Sequence, residues 1–130
     1  MPTFEISTPS SSLALGWEFD GDYLVSLEAT VNGFKGHSSG HVEKQEFERF
    51  LNDIAQLNKT LKGHAEFSSV VFDIFAIRFE ASDGLGHLAV RGRLSIDEQD
   101  LYHSSCQSLS FRFDLDSNQL ETIVNAQRAT

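Results

Sequence analysis

The chain is short of cysteine, of cations and of long apolar runs, and each shortage removes a class of protein. Cys106 is the only cysteine among 130 residues, so no disulfide can form within one chain, which fits a reducing compartment. Lysine and arginine number 10 against 19 aspartates and glutamates, a formal charge of −9. Nucleic-acid binding rests on clustered Lys and Arg, so no nucleic-acid partner is expected. No apolar run approaches the ~18 residues that a membrane span requires. The opening residues Met1-Pro2-Thr3-Phe4-Glu5-Ile6 carry neither a basic nor an apolar leader segment, and the expected compartment is the cytoplasm.

Catalytic signatures are missing too. There is no G-x-S-x-G elbow, no P-loop and no G-x-G-x-x-G. The glycines of Asp83-Gly84-Leu85-Gly86 fall between two expected strands, with no helix start to hold a phosphate. His37 and His41 lie four apart in a Gly/Ser-rich strand segment, which separates them by ~13 Å, too far for a common metal. His64, His87 and His103 have no ligand partners at zinc spacing. Cys106 has His103 nearby in sequence but no nucleophile signature around it, and a lone cysteine entering a strand is more often buried and inert. Asp73 interrupts an apolar strand, where Arg91 or Arg93 on a neighbouring strand could pair with it. No catalytic residue, cofactor or metal ion is expected, and the chain reads as a non-enzyme.

What the chain does have is aromatic. Eleven Phe, one Trp and two Tyr stand against a single Met, material for a core of pleated, half-buried surfaces. The length suits one domain over residues 1–130. Leu13, Leu15, Trp17 and Phe19 alternate with smaller or polar residues, as do Tyr23, Val25, Leu27, Ala29 and Val31, the pattern of strands with one buried face. Asn32-Gly33 is a type I′ hairpin signal that pairs Val31 with Phe34. A longer loop over Asp20-Gly21-Asp22, or a bulge, pairs Phe19 with Tyr23, whereas a two-residue turn would flip every side chain to the wrong face.

The period then changes. Phe47, Phe50, Leu51, Ile54, Leu57 and Leu61 follow a helical stripe from about Lys44 to Lys62, with Gly63 suited to the left-handed terminal position. Residues 70 to 80, apolar on both faces at first from Val70 to Ile77, mark a central strand. Leu88, Val90, Leu94 and Ile96 alternate in the next, and a polar loop Asp97-Glu98-Gln99-Asp100 follows. Leu109, Phe111, Phe113 and Leu115 form another strand. Asp116 and Gln119 suit the capping box of a last helix carrying Leu120, Ile123 and Val124. The expected fold is α+β: an antiparallel sheet of about six strands packed against one long helix, with a short C-terminal helix. A sandwich or roll, with the two strand groups in separate layers, is the alternative.

Several segments in this order carry a resemblance: Asp22-Tyr23-Leu24-Val25, Glu46-Phe47-Glu48-Arg49-Phe50-Leu51, Leu61-Lys62-Gly63-His64-Ala65, Gly86-His87-Leu88-Ala89-Val90, and Leu109-Ser110-Phe111-Arg112-Phe113-Asp114-Leu115-Asp116. From about Trp17 to Val124 the chain resembles the small bacterial WapI-like immunity proteins and related families of unknown function. The resemblance implies a protein that neutralises a cognate toxin by binding it, and it carries no catalytic residues. The negative charge independently favours a basic protein partner. Asp97, Glu98 and Asp100 are the expected contact, although a solvated turn has the same composition. The alternatives are an interaction or regulatory domain acting as a homodimer and, less favoured, a small enzyme.

Overall fold

The computed structural model describes residues 3–70, 74–82, 87–99, 104–115 and 117–128. It is α+β, but its strands form two four-stranded antiparallel sheets and not one sheet of about six. The first sheet is a meander of β1 (Thr3–Ser7), β2 (Ser11–Asp20), β3 (Asp22–Val31) and β4 (Phe34–Val42). Helix α1 (Lys44–Thr60) leads to the second meander, β5 (His64–Ser68), β6 (Phe75–Ala81), β7 (Leu88–Gln99) and β8 (Ser104–Leu115), and α2 (Ser117–Arg128) closes the order. The long helix separates the two strand groups, so each pairs with its own sequence neighbours. The two strand groups form separate sheets.

The registers follow from the turns. Asn32 and Gly33 both take positive φ, 50° and 88°, and Val31 pairs with Phe34. Phe19 pairs with Tyr23 and Trp17 with Val25, with Gly21 at φ 87° making the bend that keeps the aromatics on one face. Phe4, Ile6, Leu13, Leu15, Trp17, Val25, Leu27 and Ala29 are buried from the first sheet; Ala65, Phe67, Phe75, Ile77, Phe79 and Val90 from the second.

The sheets meet at β4. Its inward positions are small: a methyl group added at Gly36 would meet Leu109 Cδ2 at 3.1 Å, and one at Gly40 would meet Phe75 Cε2 at 3.4 Å. Between them, buried Ser38 donates its hydroxyl to the Ser95 carbonyl at 2.9 Å. The His41 carbonyl accepts the Val70 N–H at 2.8 Å. Elsewhere the helices fill the space. Helix α1 packs against β5 and α2, and α2 against β1, so that Phe47, Phe50, Ile54 and Leu57 share one buried cluster with both sheets and with Leu120 and Ile123.

Other expectations need correction. The α1 helix stops at Thr60, two residues early, because Leu61 itself adopts the left-handed conformation (φ 57°) while its N–H bonds the Leu57 carbonyl at 2.8 Å. Gly63 is also left-handed, at φ 90°, but two residues further on. Asp97, Glu98 and Gln99 are not in a loop: they continue β7, paired with Cys106, Ser105 and Ser104. Strand β5 has only Ala65 and Phe67 as buried apolar residues, too few for its period to stand out. Gln119 donates its side-chain amide to the Ser7 carbonyl, across to the first sheet and not back along its own helix. Asp73, Asp83-Gly84-Leu85-Gly86, Asp100, His103 and Asp116 lie outside the described residues, and Arg91 is paired with Glu80 at 3.2 Å. Among the described residues no helix is long and apolar enough to cross a membrane.

Candidate functional site

Hairpin β2–β3 and the first turn of α1 come together at one end of the molecule. The tight bend at Gly21 forces Asp20 and Asp22 to face each other across the hairpin. Asp22 then does a structural task. The residue before α1, Glu43, makes no side-chain cap, and Asp22 Oδ1 accepts the Lys44 N–H from 22 residues away, at 3.2 Å. A carboxylate at a helix N-terminus satisfies an orphan donor and meets the positive end of the helix dipole. This contact fixes the hairpin against the helix.

The same junction displays an aromatic ring. Phe19 is 54% exposed, a large apolar side chain left in water. Its ring lies 5.1 Å from Tyr23, whose ring lies 4.8 Å from fully buried Phe47. Phe47 in turn touches Trp17, Phe50 and Phe67, with centroids 5.3 to 5.6 Å apart. A surface aromatic ring is thereby backed, ring by ring, by the core. Such backing holds a contact residue in one geometry and lowers the entropy lost on binding.

Charged residues flank it in the chain. Glu18, Asp20, Asp22 and Glu43 are exposed, and Glu48 is near enough to Tyr23 to act on it. The Tyr23 phenol is held above its ordinary pKa, chiefly by burial and secondly by the negative charge of Glu48. Against these carboxylates stands Lys44, whose Nζ lies 5.9 Å from the centre of the Phe19 ring, within cation–π range. The junction thus exposes an aromatic ring, with a lysine over its face, on a hairpin end whose neighbouring residues are largely acidic.

The residues singled out from sequence lie elsewhere. Asp97 and Glu98 sit on the outer half of β7, beyond the Phe75–Leu94 pairing with β6, and pair with Cys106 and Ser105 of β8. His37 and His41 are exposed on β4, and His64 lies 3.8 Å from Glu66. Among the described residues no group of His, Cys, Asp and Glu is placed to hold a metal ion. Cys106 stands opposite Asp97 in the ladder. Sequence reasoning missed Phe19, Asp20 and Glu48 as a unit because Asp20-Gly21-Asp22 reads as a turn and Glu48 as the solvated face of a helix. The one signal available was that the turn is acidic and flanked by aromatic residues.

A family model described as the Immunity protein WapI-like family matches residues 4–129. No curated protein matches the chain, and no solved structure does.

Proposed function

We propose, from the premise that this chain belongs to the WapI-like immunity protein family, that it is a non-enzymatic binding protein which neutralises a cognate toxin by covering part of the toxin's surface. The observation that carries the reading is Phe19, exposed on a hairpin end rich in acidic residues and backed by Tyr23 and Phe47. A basic toxin domain is the partner such a surface suits, because opposite potentials speed encounter and an aromatic anchor slows departure. Asp97, Glu98 and Asp100 supply a second electrostatic contact to the same partner. The whole acts where the toxin would otherwise act, in the cytoplasm.

The test is affinity capture from the native cell with the full chain as bait, followed by titration of whatever binds in near-equal amount. A basic, toxin-like protein whose binding weakens with salt is expected. Phe19→Ala then weakens binding by roughly tenfold or more, and Asp20→Lys with Glu48→Lys by more still. The triple reversal of Asp97, Glu98 and Asp100 to Lys reports on the second contact separately. A bound toxin indifferent to all these changes sinks the assigned surface. Failure to protect cells from the toxin encoded beside it sinks the immunity reading itself.

A further inference from the structure

The outer face of the second sheet is built against the charge of the rest of the chain. Cross-strand register sets Glu66 beside Arg78, Arg78 beside Arg91, and Arg91 beside Arg112. Three guanidinium groups therefore stand abreast on β6, β7 and β8. The next row along is Ser68, Ala76, Arg93 and Ser110, small except for its arginine. Four of the ten basic residues of a chain of charge −9 share this one face.

We propose that this face is an oxyanion-binding groove for a small molecule bearing phosphate or carboxylate groups. The groove has a volume of about 650 Å³, within the ~300–1,000 Å³ of small-ligand sites. Its lining includes Arg78, Arg91, Arg93 and Arg112 against Glu46 and Glu66, while Glu80 and Asp114 pair with three of the arginines from outside the lining. Of the two lining carboxylates, Glu46 is occupied in accepting the N–H and hydroxyl of Ser68, at 3.2 and 3.4 Å.

A structural role alone does not account for the row. Like charges placed directly opposite on neighbouring strands destabilise a sheet, and a face built for stability alternates sign from strand to strand. Partial relief comes from within: Glu80 accepts Arg78 Nε at 3.0 Å and Arg91 Nε at 3.2 Å, Glu66 accepts Arg78 at 3.1 Å, and Asp114 accepts Arg112 at 3.4 Å. Arg78 is thus held by two carboxylates and positions the row. The side chains of Arg91 and Arg112 remain 53% and 54% exposed. Their planar five-donor forks match phosphate and carboxylate oxygens, and exposed ion pairs such as Arg112–Asp114 exchange readily for a better acceptor.

The experiment titrates the full chain with pyrophosphate and, separately, with citrate, each against sodium chloride at matched ionic strength. Calorimetry gives affinity, and backbone amide NMR locates the site. The expected result is saturable binding of at least one probe, with the largest shifts on β6–β8 around Gly92 and Ser110. Pyrophosphate binding alone identifies a phosphate ligand, and citrate binding alone a carboxylate one. Arg112→Gln should weaken binding by roughly tenfold, whereas Asp114→Asn, which removes an internal competitor, should tighten it severalfold. Structural damage cannot produce opposite signs from two neighbouring exposed residues. The proposal is overturned if neither probe binds beyond the chloride control. It also falls if binding is the same in both variants.

Discussion

Replacing Gly92 by alanine puts a methyl group where both flanking strands have already placed atoms. Gly92 pairs with Ile77 on β6 and Phe111 on β8. An added Cβ would lie 2.5 Å from Ile77 Cδ1, 2.9 Å from the Ala76 carbonyl oxygen and 2.9 Å from Phe111 Cζ. The Ile77 and Phe111 contacts are with side chains only 1% and 7% exposed, which have little room to retreat. The third is backbone within the sheet, which moves only by disturbing the ladder. Overpacking of this kind costs about 1–3 kcal/mol, and the backbone contact argues for about 2 kcal/mol or more. In an unconstrained strand the same change would be mildly favourable, since glycine weakens strand interiors. Urea unfolding should show a lower midpoint at unchanged m, with a fall in Tm of roughly 6–10 °C for a chain of this length. Ile77→Val removes the nearest clashing atom. Alone it should cost about 1 kcal/mol, but combined with Gly92→Ala it should recover part of the loss, a coupling of about 1 kcal/mol. A Gly92→Ala variant within about 0.5 kcal/mol of the parent, or strictly additive effects in the double variant, would refute the packing argument.

Three further outcomes follow from the junction of hairpin and helix. Phe47→Ala empties the centre of the aromatic cluster and should cost about 3–5 kcal/mol, measured by denaturant unfolding, with loss of near-ultraviolet dichroism. Asp22→Ala removes the acceptor for the Lys44 N–H and should cost about 0.5–2 kcal/mol in a thermal melt; Asp22→Asn, which keeps an acceptor, should cost less, and equal losses would show that charge alone matters. Tyr23 has a raised pKa in the fold, so the unfolded chain gives up this proton first. Its contribution to stability is intact below the ordinary phenol pKa of about 10 and is lost as pH rises through the folded value. Tyr23→Phe should therefore hold its urea midpoint further into alkali, and Glu48→Gln should lower the Tyr23 titration seen by ultraviolet absorbance.

Much of the local structure was legible in the residues. The register of β2 on β3 followed from refusing a turn that would have placed Phe19 opposite Asp22. That of β3 on β4 followed from the Asn32-Gly33 turn. The α1 stripe predicted all five residues that the helix buries, Phe47, Phe50, Leu51, Ile54 and Leu57. Leu61 shows the limit of such reasoning. Glycine is preferred where φ is positive, but Leu61 is packed against the core, and that contact outweighs the local strain. The second sheet was hidden for a similar reason. Strand β5 is short, and the stretch from Gly36 to Gly40 looks too polar and too small to face a core. Its small side chains are what let β4 lie close against Leu109 and Phe75.

The candidate sites divide in the same way. Charge and the want of catalytic motifs point to a binding protein, and Asp97, Glu98 and Asp100 stand out in the sequence as a run of near-adjacent carboxylates. Adjacency is all that a charge run offers. The hairpin–helix end draws Glu18, Phe19, Asp20 and Asp22 from a hairpin, Glu43 from the residue before α1 and Glu48 from the helix, and the arginine row draws one residue from each of three strands.

The sequence by itself determined the alternation of β2 and β3, the turn at Asn32-Gly33, and which face of α1 is apolar. Those choices depend on backbone preference and on periods of two or about 3.6 residues, interactions that act between near neighbours. Only the tertiary structure decided that the strands divide into two sheets, that Asp22 caps a helix beginning 22 residues later, and that Arg78, Arg91 and Arg112 stand side by side. Those outcomes depend on which surfaces pack together. Packing is settled by the fit of whole faces, and no local run of residues records it.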